Sequence, residues 1–391
     1  MTCPALQSKC ARMTENDIRS LFDLPRDLTY LNCAYMGPMS KAAASAGQVA
    51  YDRRQRPWEM VVQDQFFDQP ENLRREAAQL FGASADDIAL IPAASYGLAI
   101  AARNLPLAPG QDILTLAEQF PSNVYVWREK AAETGGSLKT VSRSANQSWT
   151  DAMLEAIGPQ TAIVAVPETH WADGGRLDLI AIGKKLRAQG GRLVLDLTQS
   201  LGTSTFNLSE IRPDFAISAG YKWLLGPYAM SYCYIAPEHQ SGRPLEESWI
   251  VREGAEDFAR LVDYADRYAA GARRFDMGER SNFQLVPAAL ESLKWLNGLG
   301  MTALNCALLE RTNALEESVR SLGVHCDTPD RASHYLCLAL PDSAPADLAV
   351  ELAGRGVSVS QRGDRLRVTP HLYTDDVDVA RFADAMKASL T

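Results

Sequence analysis

Short apolar runs alternate with amphipathic segments through the middle of the chain, from about residue 85 to residue 235. The runs that predict strands are Asp112–Leu116, Ala162–Val166, Arg192–Asp196, Asp214–Ser218 and Met230–Ile235. Several are apolar without interruption, which is typical of strands that are buried on both faces of a mainly parallel sheet. Residues 177–187 carry apolar side chains at helical spacing and end before Gly190 and Gly191. This order predicts βαβ units and an α/β fold.

The pattern changes after about Asn282, where apolar positions predict long helices over Val286–Leu296 and Met301–Leu322. A strand, a helix, two strands and a last helix follow. Near the start of the chain, Glu15–Phe22 has a helical pattern. We therefore predict an N-terminal segment that packs near the small domain (1–29), a large domain (30–283), and a connecting helix with a small C-terminal α/β domain (284–391).

The charge balance and the apolar runs exclude several classes of partner. The chain has 39 Lys and Arg against 48 Asp and Glu, a net charge of −9, and no long basic run, so nucleic acid is not expected. The longest apolar runs, such as 163–167, are far shorter than the roughly 20 residues that cross a bilayer. Residues 1–12 lack the apolar core of a signal peptide. The seven cysteines are scattered, without the paired spacing of metal sites or redox dithiols. We expect a cytoplasmic protein with free thiols and no bound metal.

One lysine is notable for its place in the predicted sheet. Lys222 follows the strand Asp214–Ser218, which puts an amine at a strand's carboxyl end, where open α/β sheets bind ligands. By itself such a lysine is usually a solvated side chain. Asp196, however, ends the preceding predicted strand. Because the carboxyl ends of parallel strands meet at one edge of a sheet, the amine and the carboxylate are predicted to lie close together.

An amine beside a carboxylate is the arrangement that pyridoxal 5'-phosphate (PLP) requires, since the lysine forms a Schiff base and the carboxylate keeps the pyridine nitrogen protonated. We predict these roles for Lys222 and Asp196, although an acid in this place can also cap the following helix. Gln199 is predicted to donate to the phenolic oxygen of the cofactor. Ala94 and Ser95, before a predicted helical run, offer backbone amides and a hydroxyl to the phosphate, although such turns are often plain N-caps.

Three motifs carry a resemblance to a known group. Tyr30-Leu-Asn-Cys-Ala-Tyr-Met-Gly-Pro38 resembles the entry motif of the class V aminotransferases, a group that includes cysteine desulfurases, kynureninases and isopenicillin N epimerase-like proteins. Asp196-Leu-Thr-Gln-Ser200 and Tyr221-Lys222-Trp223 resemble the group's cofactor-binding core. The similarity spans about residues 30–390. It implies a fold-type I PLP-dependent transferase with a mainly parallel seven-stranded sheet, acting as a homodimer whose active sites are shared between subunits.

The resemblance also implies roles for single residues. Phe120 matches the position that stacks on the pyridine ring, with a core Phe at a strand end as the alternative. The Tyr221 hydroxyl is expected to reach the phosphate, and Ser281 and Asn282 to reach the phosphate of the neighbouring subunit. Arg367 matches the small-domain arginine that holds the α-carboxylate of the substrate, a task suited to the guanidinium fork.

Further candidates for substrate contact lie in two loops. Asn32 and Tyr35 belong to the entry motif, where Tyr35 is predicted to line the substrate pocket. Residues 169–174 depart from the Asn-containing loop that is common in the group. In that loop His170 and Trp171 are candidates for substrate contact, with packed loop residues as the alternative.

The reaction stays open at this level. Lys222 is expected to act as general base at the α-carbon of a small L-amino acid, a step shared by transamination, β-elimination and epimerisation. Residues 355–366 lack the nucleophilic cysteine that desulfurases carry there, so we predict an aminotransferase. Tyr221, where desulfurases commonly have histidine, favours a C–S or C–C β-lyase as the alternative, and an epimerase is another. A non-catalytic PLP-binding protein is least favoured, because the region before Tyr30 is too short and too weakly basic for a DNA-binding module.

Overall fold

The computed structural model describes residues 15–390, and these residues form a three-layered α/β structure with a smaller sheet beside it. The strands are β1 Thr29–Tyr30, β2 Ile88–Ile91, β3 Asp112–Leu116, β4 Ser137–Val141, β5 Thr161–Pro167, β6 Arg192–Asp196, β7 Phe215–Ala219, β8 Ser231–Ile235, β9 Leu336–Ala339, β10 Val357–Ser358, β11 Ser360–Arg362 and β12 Arg365–Val368. The helices are α1 Glu15–Ser20, α2 Lys41–Arg53, α3 Gln69–Phe81, α4 Ala94–Asn104, α5 Ser122–Thr134, α6 Trp149–Ala156, α7 Leu179–Ala188, α8 Leu208–Ile211, α9 Leu285–Leu299, α10 Met301–Val319, α11 Leu348–Gly354 and α12 Asp376–Leu390.

The central sheet has seven strands in the order β2-β8-β7-β6-β5-β3-β4. The pairs from β4 to β7 are parallel, and β8 is antiparallel to both of its neighbours, so β8 alone in this sheet runs against the others. The predicted mainly parallel sheet of an α/β fold is confirmed. The carboxyl ends of β5, β6 and β7 therefore lie side by side at one edge.

Both faces of this sheet are buried, as the uninterrupted apolar runs predict. Along β2, Ile88 and Leu90 belong to one hydrophobic cluster, whereas Ala89 and Ile91 belong to the cluster on the opposite face. Alternate side chains of a strand point to opposite faces, so a strand between two helical layers must be apolar at every position.

The predicted element bounds agree closely with the structure. β3 and β6 have the predicted bounds, β8 differs by one residue at its start, and β5 and β7 differ by one residue at each end. Predicted helix Glu15–Phe22 ends at Ser20, because Phe22 leaves the helix to form a β-bridge with Ser40. The predicted helix Met301–Leu322 is α-helical to Val319 and finishes in a single 3-10 turn.

A second sheet, β11-β12-β9, packs on α10, α11 and α12 around its own apolar core. The C-terminal part contains one strand more than predicted, because β10 pairs in parallel with β1 from the start of the chain. Arg19 Nη1 also donates to Asp378 Oδ2 at 2.6 Å. The domain division at residues 29 and 283 stays a prediction, and residues 1–14, with Cys3 and Cys10, lie outside the described residues. Within 15–390, no helix is both long and apolar enough to span a membrane.

Candidate active site

Lys222 lies in the turn after β7, buried at the edge where the parallel strands end. Its backbone is held by the entry motif, since Gly37 N donates to Tyr221 O at 2.9 Å. A Cβ atom on Gly37 would lie 2.1 Å from Lys222 O, so this approach admits only glycine.

The amine of Lys222 is only 7% exposed, and burial lowers its pKa to about 8. Asp196 opposes this shift and Arg367 adds to it. Lys222 Nζ lies 5.4 Å from the ring centroid of Phe120 and 5.7 Å from that of Tyr221. About one tenth of the amine is therefore unprotonated at pH 7, far more than for an ordinary lysine, which suits a nucleophile or a general base.

Asp196 and Gln199 line the same cavity of about 220 Å³ as Lys222. Asp196 Oδ1 accepts from Thr198 N at 3.0 Å, which orients the carboxylate at the end of β6. Gln199 Oε1 accepts from Trp223 Nε1 at 2.9 Å and Gln199 Nε2 donates to Ala34 O at 3.1 Å. One amide hydrogen of Gln199 is thus left for a ligand in the cavity.

The other end of the cavity is the N-terminus of α4. Ala94 and Ser95 open this helix and line the cavity, as does Ala93 before them. In the described part of the chain no side chain caps this helix, and its first bonded amides are those of Tyr96 and Gly97. The first amides and the positive end of the helix dipole are therefore available to an anion.

Two aromatic rings form one wall of the cavity. The rings of Phe120 and Trp171 meet edge to face at 5.5 Å, and Phe120 remains 38% exposed. Trp171 Nε1 donates to Glu118 O at 2.6 Å, which fixes the indole beside Phe120. A flat ring placed between Phe120 and Lys222 would lie against this wall.

Of the two interpretations of His170, the contacts of its side chain favour the packed loop residue. Its side chain is fully buried, stacks on Trp149 with ring centroids 4.7 Å apart, and has partners at both nitrogens. Nδ1 bonds Asp173 Oδ1 at 3.1 Å and Nε2 bonds Ala117 O at 3.1 Å. Because both polar atoms are engaged inside the loop, His170 supports the loop that presents Trp171.

Arg367 on β12 is buried beside this wall, although it belongs to the smaller sheet. Nη1 donates to Trp171 O at 3.2 Å and Nη2 to Ser360 Oγ at 3.4 Å. Asn32 Oδ1 accepts from Ser360 Oγ at 2.7 Å, so Asn32 acts on Arg367 through Ser360. Tyr35 is 59% exposed and is not among the residues that line the cavity, so its predicted contact with substrate stays a prediction.

The comparisons with known proteins decide the family. The model of the family described as "Aminotransferase class-V" matches residues 59–390. The chain belongs to the class V aminotransferase family. An uncharacterized aminotransferase YcbU of Bacillus subtilis is 23% identical over 95% of this chain and 96% of its own, and a kynureninase of Deinococcus radiodurans is 31% identical over 66% and 63%. The solved structure of the cystine C-S lyase C-DES with its product cysteine persulfide superimposes with a TM-score of 0.81 at 21% identity, covering 91% and 97%. That likeness shows the fold.

This class V chain is a PLP-dependent enzyme, and its cavity fits the cofactor. The site offers an amine, a carboxylate, an aromatic wall and a helix N-terminus with free amides, which match the aldehyde, the ring nitrogen, the ring face and the phosphate of PLP. Lys222, Asp196, Phe120 and Ser95 would hold these four parts.

Ser281 and Asn282 do not line the cavity of their own subunit. Ser281 Oγ donates to Phe66 O at 2.7 Å, and Asn282 Oδ1 accepts from Leu285 N at 3.1 Å at the start of α9. Their predicted role toward a neighbouring subunit's phosphate stays a prediction.

Two residues near the site escaped the sequence reasoning. Tyr228 lines the cavity and its ring lies 4.6 Å from that of Tyr221. Arg362 lies with its guanidinium carbon 5.5 Å from the ring centroid of Trp171 and lowers the pKa of Lys222. The sequence does contain a signal for Arg362. Gly363-Asp364 is a two-residue turn pair between two segments with strand-like alternation, which predicts a hairpin. Such a hairpin places Arg362 beside the strand that carries Arg367.

Proposed function

We propose that this enzyme is an aminotransferase that acts on a small L-amino acid. The observation that carries the proposal is the buried Lys222 amine, which shares a cavity with Asp196 and lies near Arg367, with no thiol in the cavity lining among residues 15–390. When bound, PLP supplies a protonated ring that accepts negative charge from the substrate's α-carbon. The remaining chemistry belongs to the protein's own side chains.

Arg367 is assigned to the substrate's α-carboxylate. Its Nε has no partner among the described residues although it is buried, and no carboxylate of those residues is bonded to its guanidinium. A buried cation without an acidic partner is costly unless a ligand supplies the charge. A carboxylate held there is oriented by the backbone of Trp171 and by Ser360.

Lys222 is assigned to the α-proton. With a pKa near 8, Nζ accepts a proton from carbon and returns it without being trapped in either state. Phe120 and Trp171 line one side of the cavity with apolar surface. If Lys222 Nζ returned the proton to the α-carbon, the reaction would be an epimerisation. Delivery of the proton to the cofactor instead would give transamination.

None of the cysteines in residues 15–390 offers a thiol nucleophile at this site. Among the described cysteines, Cys33 lies closest to Lys222, with Sγ 3.8 Å from its backbone oxygen, but Cys33 is fully buried and its pKa is raised strongly by burial. Burial also raises the pKa of Cys337 to about 12. Since the thiolate is the reactive form, neither suits attack on a substrate sulfur.

A β-lyase is the second candidate, and Tyr221 is the observation that favours it. The residue before the lysine lines the cavity, as in the kynureninase-like pattern, and a kynureninase is among the similar proteins. A phenol at that place can donate a proton to a leaving group.

The test is incubation of the purified enzyme, carrying PLP, with a panel of L-amino acids in the presence and absence of a 2-oxo acid. An aminotransferase forms a new amino acid only when the 2-oxo acid is present. Release of ammonia with pyruvate, or of alanine, without an acceptor would overturn the proposal in favour of a lyase. Loss of optical rotation alone would favour an epimerase. The Lys222→Ala variant is the control for each reaction.

We also propose a homodimer with shared sites, because large aromatic side chains are exposed and one of them, Trp249, packs on Phe66, whose carbonyl holds Ser281. Trp58, Trp249 and Tyr264 are 77%, 42% and 93% exposed. Phe66, whose carbonyl holds Ser281, packs on Phe258 and Phe283 at 5.4 and 4.9 Å. Exposed aromatic patches of this kind mark protein interfaces. Light scattering tests the dimer, and mixing inactive Lys222→Ala with Asn282→Ala protein tests sharing, since mixed dimers regain one complete site.

A cytoplasmic location is also part of the proposal. None of the five described cysteines forms a disulfide, which suits a reducing compartment. The partner expected is a small amino acid, and the net charge of −9 argues against nucleic acid. Cell fractionation with an antibody against the native protein tests the location.

A further inference from the structure

The β11–β12 hairpin brings several arginines to one face near the cavity. Arg362 and Arg365 are paired across the two-residue turn, and Ser360 is paired with Arg367. Cross-strand partners, and residues two apart on one strand, have side chains on the same face. Arg362, Arg365 and Arg367 therefore rise from the same side of the hairpin.

These arginines differ in what they contact. Arg365 is neutralised by Asp327, with Nη2 3.1 Å from Oδ2. Arg362 donates from Nη1 to Gln361 O at 2.7 Å and lies over the Trp171 ring. Within residues 15–390, no carboxylate is paired with Arg362, and burial together with Arg367 lowers its pKa. Arg362 thus carries a partly desolvated charge without an acidic partner.

When each charged side chain at the site is assigned to a group of the cofactor or of a simple amino acid, Arg362 has no group to bind. The cations that act on Lys222 are Arg367 and Arg362, and the acid that acts on it is Asp196. Asp196 is used by the cofactor's ring nitrogen, and Arg367 by the α-carboxylate of an amino acid. Nothing in a simple amino acid with an uncharged side chain would use Arg362.

The position of Arg362 suits the side-chain end of a substrate. Lys222 Nζ lies 5.4 Å from the ring centroid of Phe120, and the ring centroids of Phe120 and Trp171 are 5.5 Å apart. The guanidinium carbon of Arg362 lies 5.5 Å from the ring centroid of Trp171. The aromatic wall therefore leads from the reacting amine to Arg362. The Trp171 ring also orients the guanidinium by a cation–π contact, and with Nη1 bonded to Gln361 O, the Nε and Nη2 donors remain for an anion.

We propose that Arg362 binds a second carboxylate, so that the site selects amino acids and 2-oxo acids whose side chain ends in a carboxylate, as in L-aspartate or L-glutamate. The inference rests on the proposed function, because it assigns the substrate class of the same site. Arg362 acts as a specificity residue and Arg367 holds the carboxylate common to all amino acids.

The first experiment measures binding to the PLP-loaded enzyme by calorimetry, with glutarate and pentanoate as probes of equal chain length. We expect glutarate to bind the unchanged enzyme roughly tenfold or more tightly, because charge-assisted bonds contribute about 1.5–3 kcal/mol. Arg362→Gln should remove this preference and leave pentanoate binding unchanged. Arg365→Gln removes the same charge from the same hairpin face and should keep the preference.

The second experiment compares kcat/KM for L-glutamate and L-glutamine, and for L-aspartate and L-asparagine. We expect Arg362→Gln to lower the acid-to-amide ratio roughly ten- to hundredfold. Equal binding of the two probes to the unchanged enzyme, or a preference that survives Arg362→Gln, would overturn the inference. Failure of the proposed function would instead appear as no amino transfer from any amino acid, while the calorimetry would still decide the role of Arg362.

Discussion

The lowered pKa of Lys222 has a direct kinetic consequence. At a pKa of about 8, roughly one tenth of the amine is unprotonated at pH 7 and roughly nine tenths at pH 9. The rate at which PLP bonds covalently to cofactor-free enzyme should therefore rise about tenfold over this range and level off above pH 9. A lysine with the ordinary pKa of 10.5 would give about a hundredfold rise without a plateau.

The assay is stopped-flow absorbance of the covalent lysine–cofactor bond, with rates divided by those of a small amine that reports the cofactor's own ionisation. Two variants give opposite shifts. Asp196→Asn removes a group that raises the pKa of Lys222 and should move the midpoint to lower pH, whereas Arg367→Gln should move it to higher pH. A rate that still climbs steeply above pH 9, or variants that shift in the same direction, would refute the reasoning.

Three further changes test the surroundings of the site. Gly37→Ala puts a Cβ 2.1 Å from Lys222 O and should destabilise the enzyme by about 1–3 kcal/mol and weaken its visible absorbance, whereas an unchanged urea midpoint would contradict the close contact. Asp276→Asn removes the buried carboxylate that holds the Arg74 guanidinium at 2.7 Å and leaves Arg74 its pair with the half-buried Glu71. This change should cost about 3–5 kcal/mol in the free energy of unfolding, measured by urea titration. Phe120→Ala removes one ring of the aromatic wall and should weaken retention of PLP by the enzyme roughly three- to tenfold, measured by dialysis. Phe120→Tyr keeps a ring at this position and is the control. If the Phe120→Ala and Phe120→Tyr enzymes retain PLP equally, stacking on Phe120 is refuted.

The local pattern of apolar and turn residues was enough to predict the strands that carry the site residues. β3 and β6 have the predicted bounds because continuous apolar runs with turn residues at both ends have few other solutions in a covered sheet. The meeting of Lys222 and Asp196 followed from the same reasoning, since parallel neighbours end at one edge. The resemblance in three motifs led to PLP and to the family, both of which the comparisons bear out.

Other features depend on pairings between distant parts of the chain. His170 was open to two interpretations in the sequence, and only its contacts with Asp173 and Ala117 identify a packed loop residue. The strand β1 pairs with β10, which lies more than three hundred residues later in the chain. Strands of two residues are too short to show an apolar periodicity, so the sequence does not predict this pairing.

The sequence by itself determined the α/β class, the order of strands and helices along the central part of the chain, and the proximity of Lys222 and Asp196. These features follow from apolar periodicity and from the shared direction of parallel strands. Only the tertiary structure decided how the small sheet brings Arg367 and Arg362 to that pair, that Gly37 is pressed against Lys222, and that burial lowers the pKa of the lysine. The physical reason is that proximity and desolvation are properties of the packed molecule, to which residues hundreds of positions apart contribute.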